Sequence, residues 1–413
     1  MQANNNSILK WVKNRELFWC SHETLVLRQR NFYIIPVLIS DNMAGHVSLF
    51  LVGDVMLARG IDMIQKYSCD PILYEGNNLC AHDYVLLAEG QNGKLPKKEL
   101  RGVDYVWGDT IRILQEKSPD VRIINLETSV TTSDTPWPHK GIHYRMHPKN
   151  VDVIASAKID CCILANNHTA DWGFSGLKET LTALRGQGIA YAGAGFNSEE
   201  AEAPAIFDLG EKGRVLVFAG GHQSSGVPTG WRARDDKEGV NIIEIQNTPK
   251  ALEDLKAQVI KYRREGDIIV LSIHWGGNWG FDLEPFMQKF AHAAIKEAGF
   301  DVIHGHSSHH VRGLEVYQGK LIIYGCGDFL NDYEGIGGHE RFRGDLALMY
   351  FVDVDPKSGS LVGVTMVPTE TKQLRVNLAC ERDLEWMQET MSRECKKLGC
   401  DTRLCGRELH LVF

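Results

Sequence analysis

DVIHGHSSHH, residues 301–310, carries four of the chain's 16 histidines: His304, His306, His309 and His310. Asp301 to His304 reads as a short buried strand, between a helical pattern at Phe286 to Gly299 and the strand-like Lys320 to Tyr324. Gly305 carries no Cβ and leaves the backbone free to turn. That puts His306 and His309 on the loop after the strand. In open α/β sheets, ligands bind beyond the carboxyl ends of the strands. Neutral imidazole is a good ligand for first-row metals. One histidine in such a loop is most simply a capping group. A cluster of four, in a chain where other strands also end in polar groups, predicts a metal site.

Those other strands lie on both sides of it. His46 to Gly53 (HVSLFLVG) is a short apolar run closed by Asp54. Val121 to Leu126 ends at Glu127, Asp160 to Ala165 at Asn166, Asn167 and His168, and Asp267 to Ile273 at His274. Helical periods lie at Ala58 to Tyr67, Asp109 to Lys117, Ser175 to Gly188 and Thr248 to Gly266, with Ser175 as an N-cap. Strands alternating with helices predict an α/β fold. The late strands Leu321 to Tyr324, Leu346 to Val354 and Leu361 to Val367 predict a second sheet. The main domain is read over residues 45–370. A surface insertion at about 68–102 is rich in Gly, Asn and Lys and reads as an aperiodic candidate lid. Residues 1–44 form an extension with no clear period. Residues 371–413 hold a helix, Cys380 to Gly399, and a tail that reads as peripheral.

Composition excludes several classes. The 413 residues are 43% hydrophobic and 24% charged, an ordinary globular balance with apolar mass for a large core. Net charge is -8, with no basic run, so nucleic acid is a poor partner. None of the ten cysteines forms a C-x-x-C pair, which fits reduced thiols. The apolar run Phe32 to Ser40 is too short to span a bilayer and lacks a signal-peptide layout. A cytoplasmic or otherwise soluble protein without a transmembrane segment is expected; the oligomeric state is not legible.

Taken together, GDVMLARG (53–60), NLE (125–127), LANNHTADWGFSGLKETL (164–181), SIHWGGNWG (272–280), GHSSHHVRGLE (305–315) and YGCGDFLND (324–332) resemble the CapA-type capsule synthesis (poly-γ-glutamate) family over roughly residues 47 to 367. That family is similar in turn to the calcineurin-like metallophosphoesterases. The resemblance implies two mixed β-sheets packed face to face and flanked by helices. It implies metal ligands at Asp54, Glu127 (as a bridging carboxylate), Asn167, His274, His306 and His309, with His168 as proton donor. Against the phosphoesterases, Met56 replaces a ligand His, Glu replaces Asp at position 127, and the closing motif G-H-x-x-H is one residue longer. These differences bear on whether one ion or two are held.

Carboxylate with imidazole suits Mn, Fe or Zn alike. Asp171 is placed either to orient His168 or to cap the following helix. Arg59 and Arg145 are candidates for an anionic substrate, whereas Lys140 reads as surface charge. Trp275 and Trp279 wall a pocket or belong to the core. The expected function is a metal-dependent hydrolase acting on a phosphoester or on an anionic polymer such as poly-γ-glutamate. The alternative is a non-catalytic capsule-biosynthesis or polyanion-binding component.

Overall fold

Short apolar runs rich in Val, Ile and Leu form strands buried on both faces, as parallel sheets require. In the computed structural model, which describes residues 17–19, 25–27, 45–75 and 80–413, these runs build two sheets within one unit, His46–Phe413. The first sheet begins with β1 (Val47–Val55), β2 (Val121–Leu126), β3 (Cys161–Ile163) and β4 (Ala190–Ala192), paired in parallel in that order. The chain then lays down the second sheet: β5 (Ala205–Asp208), β6 (Arg214–Gly221), β7 (Ile268–His274), β8 (Val302–His306), β9 (Leu314–Tyr317) and β10 (Lys320–Ile323). It returns to the first with β11 (Asp328–Leu330), β12 (Leu346–Val354), β13 (Leu361–Thr371), β14 (Val376–Leu378), β15 (Asp401–Cys405) and β16 (Glu408–Val412). The first sheet runs β15-β16-β13-β12-β1-β2-β3-β4, with β11 beside β1 and β14 beside β13; the second runs β5-β6-β7-β8-β10-β9. Both mix parallel and antiparallel pairs.

The two-residue period of a strand sorts the second sheet's side chains. Val215, Val217, Val270 and Ile323 share a core with Leu49, Leu51 and Ile123 of the first sheet. The residues between them, Leu216, Phe218, Ile269 and Leu271, pack instead with Leu252, Leu255 and Phe290 of the helices Thr248–Tyr262 and Pro285–Ala293. The sheets therefore meet face to face with helices outside, as the family resemblance implied.

Register brings the strand ends together. Asp54 lies opposite Asn125 on one side and Asp328 on the other. His274 lies opposite His306. The approach of β1 to the segment before β11 is close: Asp54 N donates to Gly327 O at 2.9 Å, and a Cβ at Gly53 would overlap that carbonyl. Gly53→Ala is expected to destabilise the fold by about 1–3 kcal/mol or more, the usual range for overpacking. Urea unfolding checks it.

Four local readings are corrected. Gly305 is not the turn. The strand runs on to His306, and Gly305 is small because a Cβ would lie 2.6 Å from both Ile323 O and Trp275 Nε1. The chain turns at Ser307 (φ 102°) and His309 (φ 58°) instead. The 68–102 insertion contains a helix, Ala81–Asn92, whose start is closed by Cys80 and Asp83. It buries only Ala81, Tyr84 and Ala88, so no apolar stripe marks it in the sequence. The helix expected from Ser175 starts at Gly173 with Trp172 at its N-cap. The tail is not peripheral, because β15 and β16 form a hairpin that extends the first sheet through Thr365 and His410.

Within Met1–Gly45 the structure describes an antiparallel pair, Leu17–Trp19 with Leu25–Leu27. The rest of the expected extension lies outside the described residues. Among the described residues, no helix is long and apolar enough to cross a membrane.

Candidate metal centre

Seven residues from six strand ends converge. Asp54, His274 and His306 hold donor atoms within 4.8 Å of one another, and so do Asp54, His309 and Asp328. Asp54 is common to both groups. His274 Nε2 lies 3.1 Å from Asn167 Oδ1 and 3.6 Å from Glu127 Oε1, which joins those two residues to the first group. Asp54 is held by Asn125 Nδ2 at 2.6 Å and by Ser307 N at 3.3 Å. The left-handed Ser307 and His309 fold the loop back so that His309 Nδ1 meets Asp328 at 2.8 Å. Non-glycine residues in that region store strain and cluster at functional sites.

The electrostatics suit a cation. Three carboxylates, Asp54, Glu127 and Asp328, are buried side by side. Burial, and then the charge of Asp328, pushes Asp54 up to about 7. Burial and Asp54 push Glu127 well above the ordinary carboxylate range. Burial alone would lower His309, but Asp328, Glu127 and Asp54 outweigh it and push it up to about 10. His274 and His306 are held well below the usual imidazole value, first by burial. They are therefore neutral, the ligating form. Glu127 Oε1 is buried with no hydrogen-bond partner among the described residues. A bare carboxylate oxygen and two neutral imidazoles facing acceptor atoms fit a divalent cation.

Beside this cluster, His168 Nδ1 lies 2.6 Å from Asp171 Oδ2, and its ring stacks on Tyr144 with centroids 4.0 Å apart. Burial lowers His168 to about 4 in spite of Asp171. Asp171 is itself lowered: burial opposes the shift, but His168 and Lys140 overcome it. Among the described residues the Asp171 side chain caps no helix; the oxygen that faces His168 Nδ1 also accepts from Tyr144 N at 2.7 Å.

A family model, bacterial capsule synthesis protein PGA_cap, matches residues 48–333, a span that includes every residue of this cluster. The chain belongs to that family. The probable polyglutamine synthesis accessory protein of Mycobacterium tuberculosis is 42% identical over 362 residues, 86% of this chain and 94% of that protein. The PGA biosynthesis protein CapA of Bacillus subtilis is 27% identical over 74% of this chain and 67% of its own length. The capsule biosynthesis protein CapA of Bacillus anthracis is 24% identical over 74% and 64%.

For this PGA_cap chain, three sequence readings of the site need revision. Arg59 is not turned to a substrate. Its guanidinium forks onto Asp332 at 2.5 and 3.2 Å, reaches Glu75 at 3.0 Å, and is buried. Arg145 donates to the carbonyls of Ser133 (2.7 Å) and Asp70 (3.2 Å) and lies 3.8 Å over the Trp172 ring. Lys140 is not a solvated surface charge, since its Nζ sits 2.7 Å from Asp171 Oδ1 and 3.1 Å from His168 Nδ1. Of the two tryptophans left open, Trp275 is core, whereas Trp279 stacks between His309 and His339 at the edge of a cavity of about 340 Å³.

One residue of the PGA_cap cluster was missed. It is Asp328, within the motif YGCGDFLND. The available signal was its place at a glycine-flanked strand start. Met56, where a ligand His was missing, packs with Ala58 and Tyr144. Asp328 adds a carboxylate beside Asp54 from a different strand.

Proposed function

We propose that the chain is a metal-dependent hydrolase whose substrate is a phosphoester or an anionic polymer such as poly-γ-glutamate. The observation that carries this reading is the pair of donor groups sharing Asp54, with the orphaned Glu127 oxygen 3.6 Å from His274 Nε2. One or two ions of Mn, Fe or Zn would be held by Asp54, Glu127, Asn167, His274 and His306 and by Asp54, His309 and Asp328. A bound ion of this kind lowers the pKa of its water and polarises the scissile group. The chain's own contribution is proton transfer and orientation. Asp171 accepts from Nδ1–H of His168 and balances the imidazolium formed when Nε2 is also protonated; that Nε2 proton is the one given to the leaving oxygen, and the ring returns to its neutral Nδ1–H form. Lys140, touching both, balances the charge of Asp171.

The names of the relatives, accessory and biosynthesis proteins, favour a second reading: the same centre binds polymer without turnover. One experiment separates the two. Protein purified without added metal is expected to contain one or two ions by elemental analysis. It should hydrolyse members of a phosphoester and poly-γ-glutamate panel, with turnover lost on chelation and restored by Mn, Fe or Zn. His168→Ala is expected to lower kcat about 10²–10⁴-fold, the usual contribution of a positioned acid–base group, at unchanged metal content. Polymer binding that survives His168→Ala in a protein with no turnover supports the second reading. Absence of metal sinks both.

A further inference from the structure

Behind His306 runs a buried hydrogen-bond chain that begins at a backbone carbonyl. His304 Nε2 lies 2.8 Å from Val52 O. A carbonyl oxygen only accepts, so His304 carries its proton on Nε2. His304 is fully buried and its hydrogen-bond partners are a carbonyl and a hydroxyl, with no carboxylate to hold a charge there, so the ring is neutral and its Nδ1 is a lone pair. Ser272 Oγ lies 2.9 Å from that Nδ1 and 3.0 Å from His306 Nε2. The serine has one proton, and His304 Nδ1 can only accept. Ser272 therefore donates to His304, and its oxygen accepts from His306 Nε2–H. A neutral imidazole has one N–H. His306 Nδ1 is then a bare lone pair, 2.7 Å from His274 Nδ1 and 4.0 Å from Asp54 Oδ1.

We infer that Ser272 and His304 are positioning residues that relay a proton arrangement from the Val52 carbonyl and lock His306 in the tautomer that offers Nδ1 to a cation. The opposite tautomer would place a proton where the ligand lone pair is needed. Partners of this kind on the far nitrogen of a ligating histidine fix both its tautomer and its ring orientation. Neither residue touches the centre; both act through His306. Their consequence for metal binding rests on the proposed metal centre, but the tautomer itself does not.

The test has two arms. In chelator-treated, full-length protein labelled with 15N-histidine, long-range proton–nitrogen NMR correlations report which His306 nitrogen is protonated, with His306→Gln as the assignment control. Protonation on Nε2 is expected, and protonation on Nδ1 overturns the inference whether or not the chain holds metal. In the second arm, Zn²⁺ affinity is measured by chelator competition. Ser272→Ala removes the relay and is expected to weaken binding about 10–100-fold. Ser272→Thr keeps the hydroxyl and is expected to stay close to the wild type. A folded Ser272→Ala chain that binds Zn²⁺ as tightly as the wild type overturns the inference. Should Ser272→Ala fail to fold, His304→Leu takes its place, with the same expected loss and the same overturning result. A wild-type protein that binds no Zn²⁺ defeats the metal-centre reading instead, and the NMR arm still decides this one.

Discussion

Asp54→Asn is expected to remove metal binding while leaving the metal-free protein no less stable. Asp54 belongs to both donor groups, so its charge is the one whose loss both would feel. Removing one partner of a buried charge pairing costs about 3–5 kcal/mol, which corresponds to more than a hundredfold in affinity at about 1.4 kcal/mol per decade. Metal content by elemental analysis should fall to background, and turnover with it. The effect on the fold should be opposite or nil. Without a cation, Asp54 sits among Asp328 and Glu127, and burial with the Asp328 charge already pushes it up to about 7. A neutral, isosteric asparagine relieves that crowding and keeps its place beside Asn125. The midpoint of unfolding in chelator, read by calorimetry, should hold or rise. A variant that keeps wild-type metal content, or that unfolds far more readily in chelator, would mark Asp54 as a structural group.

Arg59→Met carries the largest expected cost to stability, about 3–5 kcal/mol, because it leaves buried charge uncompensated. Asp332 and Glu75 both pair with this guanidinium, and Asp332 is fully buried. Methionine keeps the apolar packing over Tyr84, where the guanidinium lies 3.8 Å from the ring centroid. The loss should depend on pH, with a sign fixed by Asp332. Burial holds that carboxyl above its ordinary value even with Arg59 present, and without Arg59 it climbs further. A carboxyl raised by folding binds more protons folded than unfolded, so stability falls as pH rises from the unfolded value, about 4, through the folded one. The deficit of Arg59→Met should therefore shrink as pH is lowered from neutrality toward 4. Urea titrations of both proteins at several pH values check this; a deficit independent of pH would assign the cost to lost packing.

What the sequence made legible follows from the range of the interactions involved. Strands such as Val47–Val55 and Ile268–His274 are set by local apolar runs, and the polar residue that ends each run is visible without any partner. That is why Asp54, Glu127, Asn167, His274 and His306 could be singled out. Asp328 could not, because its strand is three residues long and its meaning lies in pairing with Asp54, 274 positions earlier. The two arginines were misread for the same reason. An arginine beside a motif suggests an anion, and nothing near Arg59 in the sequence points to Asp332, 273 residues away. The family resemblance supplied the two packed sheets, which strand patterns alone left as a hint. The hairpin Asp401–Val412 escaped because each of its strands is only five residues long and its place is set by pairing with Thr365 and Met366, far earlier in the sequence.

The donors come from both layers. Asp54, Glu127 and Asp328 belong to the first sheet or its ends, and His274 and His306 to the second. A cation seated among them, as proposed, would be a rivet through the sandwich as well as a reagent. On the proposed reading, cohesion between the layers and competence for chemistry would depend on one occupant, and a cell starved of that metal would hold a looser protein along with a silent one.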